Sequence, residues 1–382
     1  YYRLNTKTGE RMSIHPKHEL GDTPYRYNWQ TPILLSPHNQ DILYMGANKL
    51  LRSMDQGASF DVISDDLTTG GKKGNVPYGT LTSISESPFQ FGLIYTGSDD
   101  GYIYLTNDGG QDWSRISDGL PQKLWVSRVI ASQHEKARIY VALSGYRYDD
   151  FKPYLFVSDN YGENWRPIHS NLPDSPLNVI REDTTDPNIL YVGNDQGVYV
   201  SFDAGEIWQK FSKGLPNVAV HDLRIQDEAK DLVVGTHGRS IYKANIAALQ
   251  KYNDIKEQPV TVFEVDDIRY SPRWGSTRSQ WRDAFVPSLS VDFFSGQPGE
   301  LQVSIHGEDG DLLNQFTFDT KKGFNNFDYD LSVNEKSVKS YFKKREISIQ
   351  KAANGNYYLP KGKYTIKVSS GANSSKTGLT IK

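Results

Sequence analysis

Six aspartates stand where carbohydrate chemistry could be done: Asp99, Asp100, Asp149, Asp150, Asp195 and Asp222. General acid–base cleavage of a glycosidic bond needs two carboxyl groups about 5 to 10 Å apart, one with a raised pKa. A second set could hold a sugar without cutting it: Trp29, Tyr78, Trp125, Tyr146, Arg147, Tyr148, His221, His237 and Arg239. Aromatic faces stack on sugar rings, and carboxylates accept hydroxyl protons. Each group also has a plainer use. Asp99-Asp100-Gly101 and Asp195-Gln196-Gly197 are ordinary turn sequences. Trp29 and Trp125 are of the type that fills cores. His237 and Arg239 flank a glycine in a tight turn. The loop Tyr146-Arg147-Tyr148-Asp149-Asp150-Phe151 is the one least explained by packing.

The elements that must position these residues form a repeat. The pattern Ser/Thr-x-Asp-x-Gly-x-x-Trp starts at Ser53, Thr106, Ser158 and Ser201. The spacing of about 40 to 50 residues is the length of a four-stranded propeller blade. Asp55, Asp108, Asn160 and Asp203 hold the acidic or amide position, and Phe60, Trp113, Trp165 and Trp208 the aromatic one. Glycine supplies a positive φ, and the carboxylate or amide accepts backbone N–H bonds. These residues therefore read as turn scaffold. Upstream of each copy lies a strand with tyrosine near its end, Tyr44, Tyr95, Tyr140 or Tyr191, and before it an alternating strand. A fifth unit starts at Val220 and leaves the pattern without a box.

In such a blade the box is the turn between strands three and four. The opposite face carries the two-to-three loops and the blade-to-blade connections, and it holds the mouth of the central channel, the default ligand site. The two candidate sets above belong to that face. Five units are fewer than the six to eight blades that long repeats usually need, about that number closing a ring. The remaining blades are expected N-terminal to Tyr1, so the missing part of the same protein counts as a partner.

The pattern changes after residue 250. Ala244 to Tyr252 reads as a short helix, 251–285 as a linker packing on the propeller through Tyr270, Trp274 and Trp281, and 286–382 as an immunoglobulin-like β-sandwich of short alternating strands. One expected strand is Ile347 to Gln350. Residues 1–250 are the propeller. The fold class is all-β.

Composition bounds the function. A net charge of -3 gives no reason for nucleic acid or an anionic membrane as partner. With no cysteine there is neither disulfide nor thiolate metal site. No two histidines have ligand spacing, no EF-hand loop occurs, and no Gly-rich phosphate motif precedes a helix, so no metal or cofactor is expected. No apolar run is long enough for a transmembrane segment.

The boxes resemble those of Asp-box (BNR) propellers, which include sialidases, xyloglucan-hydrolysing enzymes and sortilin/Vps10 receptors. Tyr27-Asn28-Trp29-Gln30-Thr31-Pro32-Ile33, Leu35-Ser36-Pro37-His38 and Gly235-Thr236-His237-Gly238-Arg239-Ser240 are similar to secreted bacterial proteins of the BNR glycosyl hydrolase-like or sortilin-like kind. So are Val303-Ser304-Ile305 and Gly362-Lys363-Tyr364 in the sandwich. The resemblance implies a secreted, periplasmic or outer cell-surface protein of a Gram-negative bacterium. Neither a sialidase arginine triad with a Tyr–Glu pair nor two facing xyloglucanase aspartates can be placed residue by residue. Two functions follow: a binding or scaffold module for a glycan or protein ligand, or a two-carboxylate glycoside hydrolase acting on polysaccharide.

Overall fold

The computed structural model describes residues 1–74, 77–277 and 281–382. They divide into two compact units, Tyr1–Gln250 and Lys251–Lys382.

The first unit is a succession of antiparallel sheets, each a meander of neighbouring strands, as in propeller blades. Blade 1 has strands Ile33–Leu35, Leu43–Gly46, Leu50–Ser53 and Asp61–Val62. Blade 2 has Leu81–Glu86, Ile94–Ser98, Ile103–Thr106 and Ser114–Arg115. Blade 3 has Trp125–Ala131, Ile139–Gly145, Asp150–Ser158 and Arg166–Pro167. Blade 4 has Leu177–Glu182, Leu190–Asn194, Gly197–Ser201 and Trp208–Lys210. Blade 5 has three strands, Val220–Gln226, Asp231–Thr236 and Ile241–Asn245. The last of these runs through the start of the expected helix; helical turns come only at Leu249–Lys251 and Tyr252–Ile255.

The second strands of blades 1 to 4 are buried along their whole length, because sheets packed face to face enclose both sides. That is why these strands carry no charged residue. Two of their tyrosines reach carboxylates of the following blade. Tyr44 donates to Glu86 of blade 2 at 3.0 Å, and Tyr140 to Glu182 of blade 4 at 2.9 Å. Each pair crosses a blade boundary.

The four repeated turns share one hydrogen-bond pattern. In the first, the Ser53 hydroxyl donates to Asp55 at 2.7 Å and accepts the Gly57 N–H at 2.7 Å, while Asp55 accepts the Ser59 N–H at 2.8 Å. Thr106 and Asp108, Ser158 and Asn160, and Ser201 and Asp203 repeat it. The aromatic residue then bonds the previous blade. The indole N–H groups of Trp113, Trp165 and Trp208 donate to the carbonyls of Ile63, Ile116 and Ile168 at 2.9, 2.9 and 2.7 Å. Each of those isoleucines also packs under the glycine of the next turn. These bonds lower the Asp55 carboxyl to about 2, through the Ser59 N–H first, then the Ser59 and Ser53 hydroxyls. The sign follows: the turn's contribution is present above the ordinary carboxylate range and is lost as pH falls from about 4 through the folded value. A carboxyl-detected NMR titration should therefore place the Asp55 midpoint near 2, and a midpoint at the ordinary value would refute these bonds.

One repeat element had no sequence signal. Tyr2–Leu4 and Arg11–Ser13 form a hairpin, and the Ile14 N–H donates back to the Tyr1 carbonyl. Ile63, Ile116 and Ile168 make the same bond to Leu50, Ile103 and Leu155. Ile14 also packs under Gly57, as Ile63 does under Gly110. The hairpin thus occupies the place of strands three and four of a blade preceding blade 1. Its connection, Asn5 to Glu10, lacks the box sequence, which is why pattern alone missed it.

The second unit is a two-sheet sandwich. One sheet joins Val260–Val262, Leu289–Ser295 and Gly323–Tyr329. The other has the order Leu312–Thr320, Gly299–His306, Gly362–Ser370, Asn373–Ile381. Alternation is clear in Leu289, Val291 and Phe293, which point inward between outward Ser290 and Asp292. The stretch expected as a linker belongs to this unit. It supplies the strand Val260–Val262, Ile268 bridges to Ile381, and Trp274 is buried in the core with Tyr270 against it. Trp281 is 86% exposed. Residues 347–350 form no strand; Ser332–Val333 pairs instead with Tyr357–Tyr358.

Candidate functional site

The first strands of blades 2 to 5 share a defect. Their pairing with the second strand slips by one residue between Leu81 and Ser83, Val126 and Arg128, Leu177 and Val179, and Val220 and Asp222. Each slip is a β-bulge, a device that re-aims side chains and often stands beside functional sites. The extra residues are Thr82, Ser127, Asn178 and His221, and all four line one cavity. Thr82 and Ser127 spend their hydroxyls on carbonyls of the next blade, Val126 and Leu177. Asn178 donates to Asp195 at 2.9 Å. His221 stacks on His237, centroids 5.2 Å apart.

The cavity has a volume of about 1010 Å³ and lies where the first strands converge. Trp29, Trp125, Tyr146, Arg147, His221, His237, Asp195 and Asp222 line it. Trp29 is 77% and Tyr146 61% exposed, so both present ring faces to solvent. Trp125 has one face covered by the Arg147 guanidinium at 4.1 Å. Tyr78, Tyr148, Arg239, Asp99, Asp100, Asp149 and Asp150 are not among the lining residues. Lys72 sits over the Tyr78 ring at 3.8 Å.

Four of the six candidate aspartates thus lie elsewhere, and the structure gives three of them clear local work. Asp99 is buried and accepts both the Gly79 and Thr80 N–H groups at 2.9 Å and the Thr80 hydroxyl at 2.8 Å. Burial pushes its pKa up, yet it has no open face for a substrate. Asp100 accepts the Thr69 N–H and hydroxyl. Asp150 accepts the Tyr154 hydroxyl at 2.7 Å and the Lys152 N–H, which hold its carboxyl below the usual range. Asp149 takes a left-handed conformation, φ 54°, after the helical turn Tyr146–Tyr148.

The cavity wall holds groups that no sequence motif joined. Arg128 of blade 3 and Arg181 of blade 4 both reach Asp222 Oδ1 of blade 5, at 3.0 and 3.2 Å. Arg224 approaches Oδ2 at 3.6 Å. Arg181 Nε also donates to the Leu223 carbonyl at 2.7 Å. Burial lowers the pKa of Arg128 and Arg181, and the crowding of like charges adds to it. Glu182 faces the wall too, but it accepts the Ser132 and Tyr140 hydroxyls and the Gln133 N–H. The only sequence signal was an arginine inside each of three successive first strands. No group of three or more His, Cys, Asp or Glu among the described residues could hold a metal ion.

His221 is pushed below the ordinary imidazole pKa, by burial first and then by His237. A base depressed in the fold resists protonation, so it costs stability as pH falls below the ordinary value. An NMR titration should show the His221 ring midpoint below 6.5, and a higher midpoint would contradict the enclosed pair.

No family model matches the chain. Over 148 residues it is 24% identical to an oligoxyloglucan-reducing end-specific xyloglucanase of Emericella nidulans, covering 36% of this chain and 17% of that protein. The chain therefore spans under a fifth of that relative. Among solved structures it is similar to a GH74 xyloglucanase from Xanthomonas campestris, with 12% identity, a TM-score of 0.46, and 92% of this chain against 54% of that one. A GH74 enzyme of Niastella koreensis gives the same values. The Swd1 propeller domain of Myceliophteria thermophila has 12% identity and a TM-score of 0.39, over 76% of this chain and 87% of that one.

Proposed function

We propose that the cavity at the first strands binds carbohydrate, and that this chain is a binding or scaffold module. One observation carries the reading. Exposed aromatic faces and polar groups share a cavity in which Glu182, Asp195 and Asp222 are already bonded by the protein. A general acid needs a carboxyl with a raised pKa and access to the glycosidic oxygen. The one candidate with a raised pKa, Asp99, is walled in. The likeness to a named xyloglucanase supports carbohydrate as the ligand class, and it is the observation that favours a hydrolase as the second reading.

The finer assignment belongs to the same proposal. The four turns of one bonding pattern support membership of the Asp-box propellers. The strand order of the second unit supports an immunoglobulin-like sandwich. A secreted, periplasmic or outer-surface location is where such a module would meet polysaccharide. Among the described residues, no helix is long and apolar enough to cross a membrane.

The test is a panel of neutral and acidic oligosaccharides, xyloglucan fragments included, with binding followed by calorimetry and products by mass spectrometry. Binding without cleavage is expected. Cleavage abolished by Asp195→Asn would establish the hydrolase instead. A panel with neither binding nor cleavage would overturn both readings.

A further inference from the structure

Three guanidinium groups meet at Asp222, and the charge there does not balance. Arg128, Arg181 and Arg224 carry three positive charges against one carboxylate. Among the described residues no other acidic group lies within ion-pair distance of the three. Glu182 follows Arg181 in the strand but bonds to Ser132, Gln133 and Tyr140. Asp195 takes the Asn178 amide. Arg128 and Arg181 are also poorly hydrated, with 21% and 14% of their side chains exposed. Clustered cations held away from water are unfavourable unless a further anion completes them. The Nε of Arg128 is buried and has no hydrogen-bond partner. The set comes from three successive blades, so the fold brings together what the sequence keeps far apart.

We propose that the ligand of this cavity is a sugar bearing a carboxylate, and that Arg128, Arg181 and Arg224 hold that group. The inference rests on the carbohydrate-binding reading and narrows it from sugars in general to acidic ones. A carboxylate is planar and matches the donor fork of a guanidinium. Asp222 fixes two of the forks before the ligand arrives, which lowers the ordering cost of binding. The exposed rings of Trp29 and Tyr146 line the same cavity and suit sugar rings, where an acidic peptide would need main-chain partners.

The test uses the whole chain and three probes: trigalacturonate, its carboxyl-reduced neutral counterpart, and triglutamate. Calorimetry should show the acidic sugar binding about tenfold or more tightly than the neutral one, with the gap shrinking as salt is raised. Arg224→Gln should cut the acidic sugar's affinity about threefold or more and leave the neutral sugar unchanged. The Arg224 side chain is 65% exposed, so this variant is expected to fold, and its melting curve checks that. Equal affinity for the acidic and neutral sugars would overturn the proposal and leave carbohydrate binding standing. Binding of triglutamate in place of either sugar would overturn it in favour of a peptide. No binding of any probe would overturn this proposal, while a neutral sugar bound in the wider panel would still uphold the carbohydrate reading.

Discussion

Gly110→Ala is expected to destabilise the first unit by about 3 kcal/mol or more, the sum of a strained backbone and an overpacked contact. Gly110 has φ 102°, which L side chains rarely adopt, and a Cβ there would meet the Ile63 carbonyl oxygen at 2.5 Å. That oxygen accepts the Trp113 indole bond, so it cannot move without breaking the link between blades 1 and 2. Gly214→Ala is the matched comparison. Gly214 has φ 77° and nothing within 4 Å of the added carbon. It should cost only about 1 to 2 kcal/mol, the conformational part alone. Denaturant titrations of both variants check the difference. Equal losses would mean that the glycine serves the turn only, and that the contact between blades is not tight.

Asp222→Ala is expected to cost about 2 kcal/mol. Removing one partner of a buried ion pair usually costs about 3 to 5 kcal/mol, and Asp222's partial exposure reduces that through solvent screening. Asp222 is 43% exposed, but it is the only acidic partner within ion-pair distance of Arg128 and Arg181 among the described residues. Arg224→Ala should change stability by less than about 1 kcal/mol, as exposed pairs do. The triple change Asp222→Leu, Arg128→Met, Arg181→Met should recover most of the loss, because apolar replacement of a buried ionic group is often neutral or better. Melting curves of the set measure this. A harmless Asp222→Ala would show that the arginines are hydrated and not enclosed, and would weaken the case for an anionic ligand.

Much of the fold was legible because its signals are local. The repeated turns need a glycine, a short acceptor and a hydroxyl within five residues, and only that combination closes their bonds. The tyrosine of each second strand was visible for the same reason, although it stands second in the strand and not near its end, because the pairing runs on past it. The hairpin at Tyr2–Ser13 was hidden because it keeps the packing of a repeat without the box that marks one. Ala244 and Asn245 looked helical by local propensity, but pairing with Leu232 and Asp231 outweighs it.

The candidate site was legible only in part. Placement on the face opposite the repeated turns follows from strand order, so topology was enough to expect Trp29, Trp125 and Tyr146 on the side where they line the cavity. Asp99 and Asp100 looked like carboxylates for chemistry, yet Gly79, Thr80 and Thr69, distant in the chain, use them up, and the sequence Asp-Asp-Gly does not reveal those partners. Arg128, Arg181, Asp222 and Arg224 were not grouped, because an ion pair between blades joins residues 94 apart in the chain and leaves no motif. The bulges that turn Asn178 and His221 toward the cavity leave no mark in the sequence either.

The central claim is that ligand meets the first strands and not the repeated turns. Hydrogen–deuterium exchange of the whole chain, with and without an oligosaccharide that binds, tests it most directly. Protection is expected at the bulged stretches 82–83, 127–128, 178–179 and 221–222 and at the loop 146–148. Protection confined to the turns at Asp55, Asp108, Asn160 and Asp203, or to residues 251–382, would contradict it.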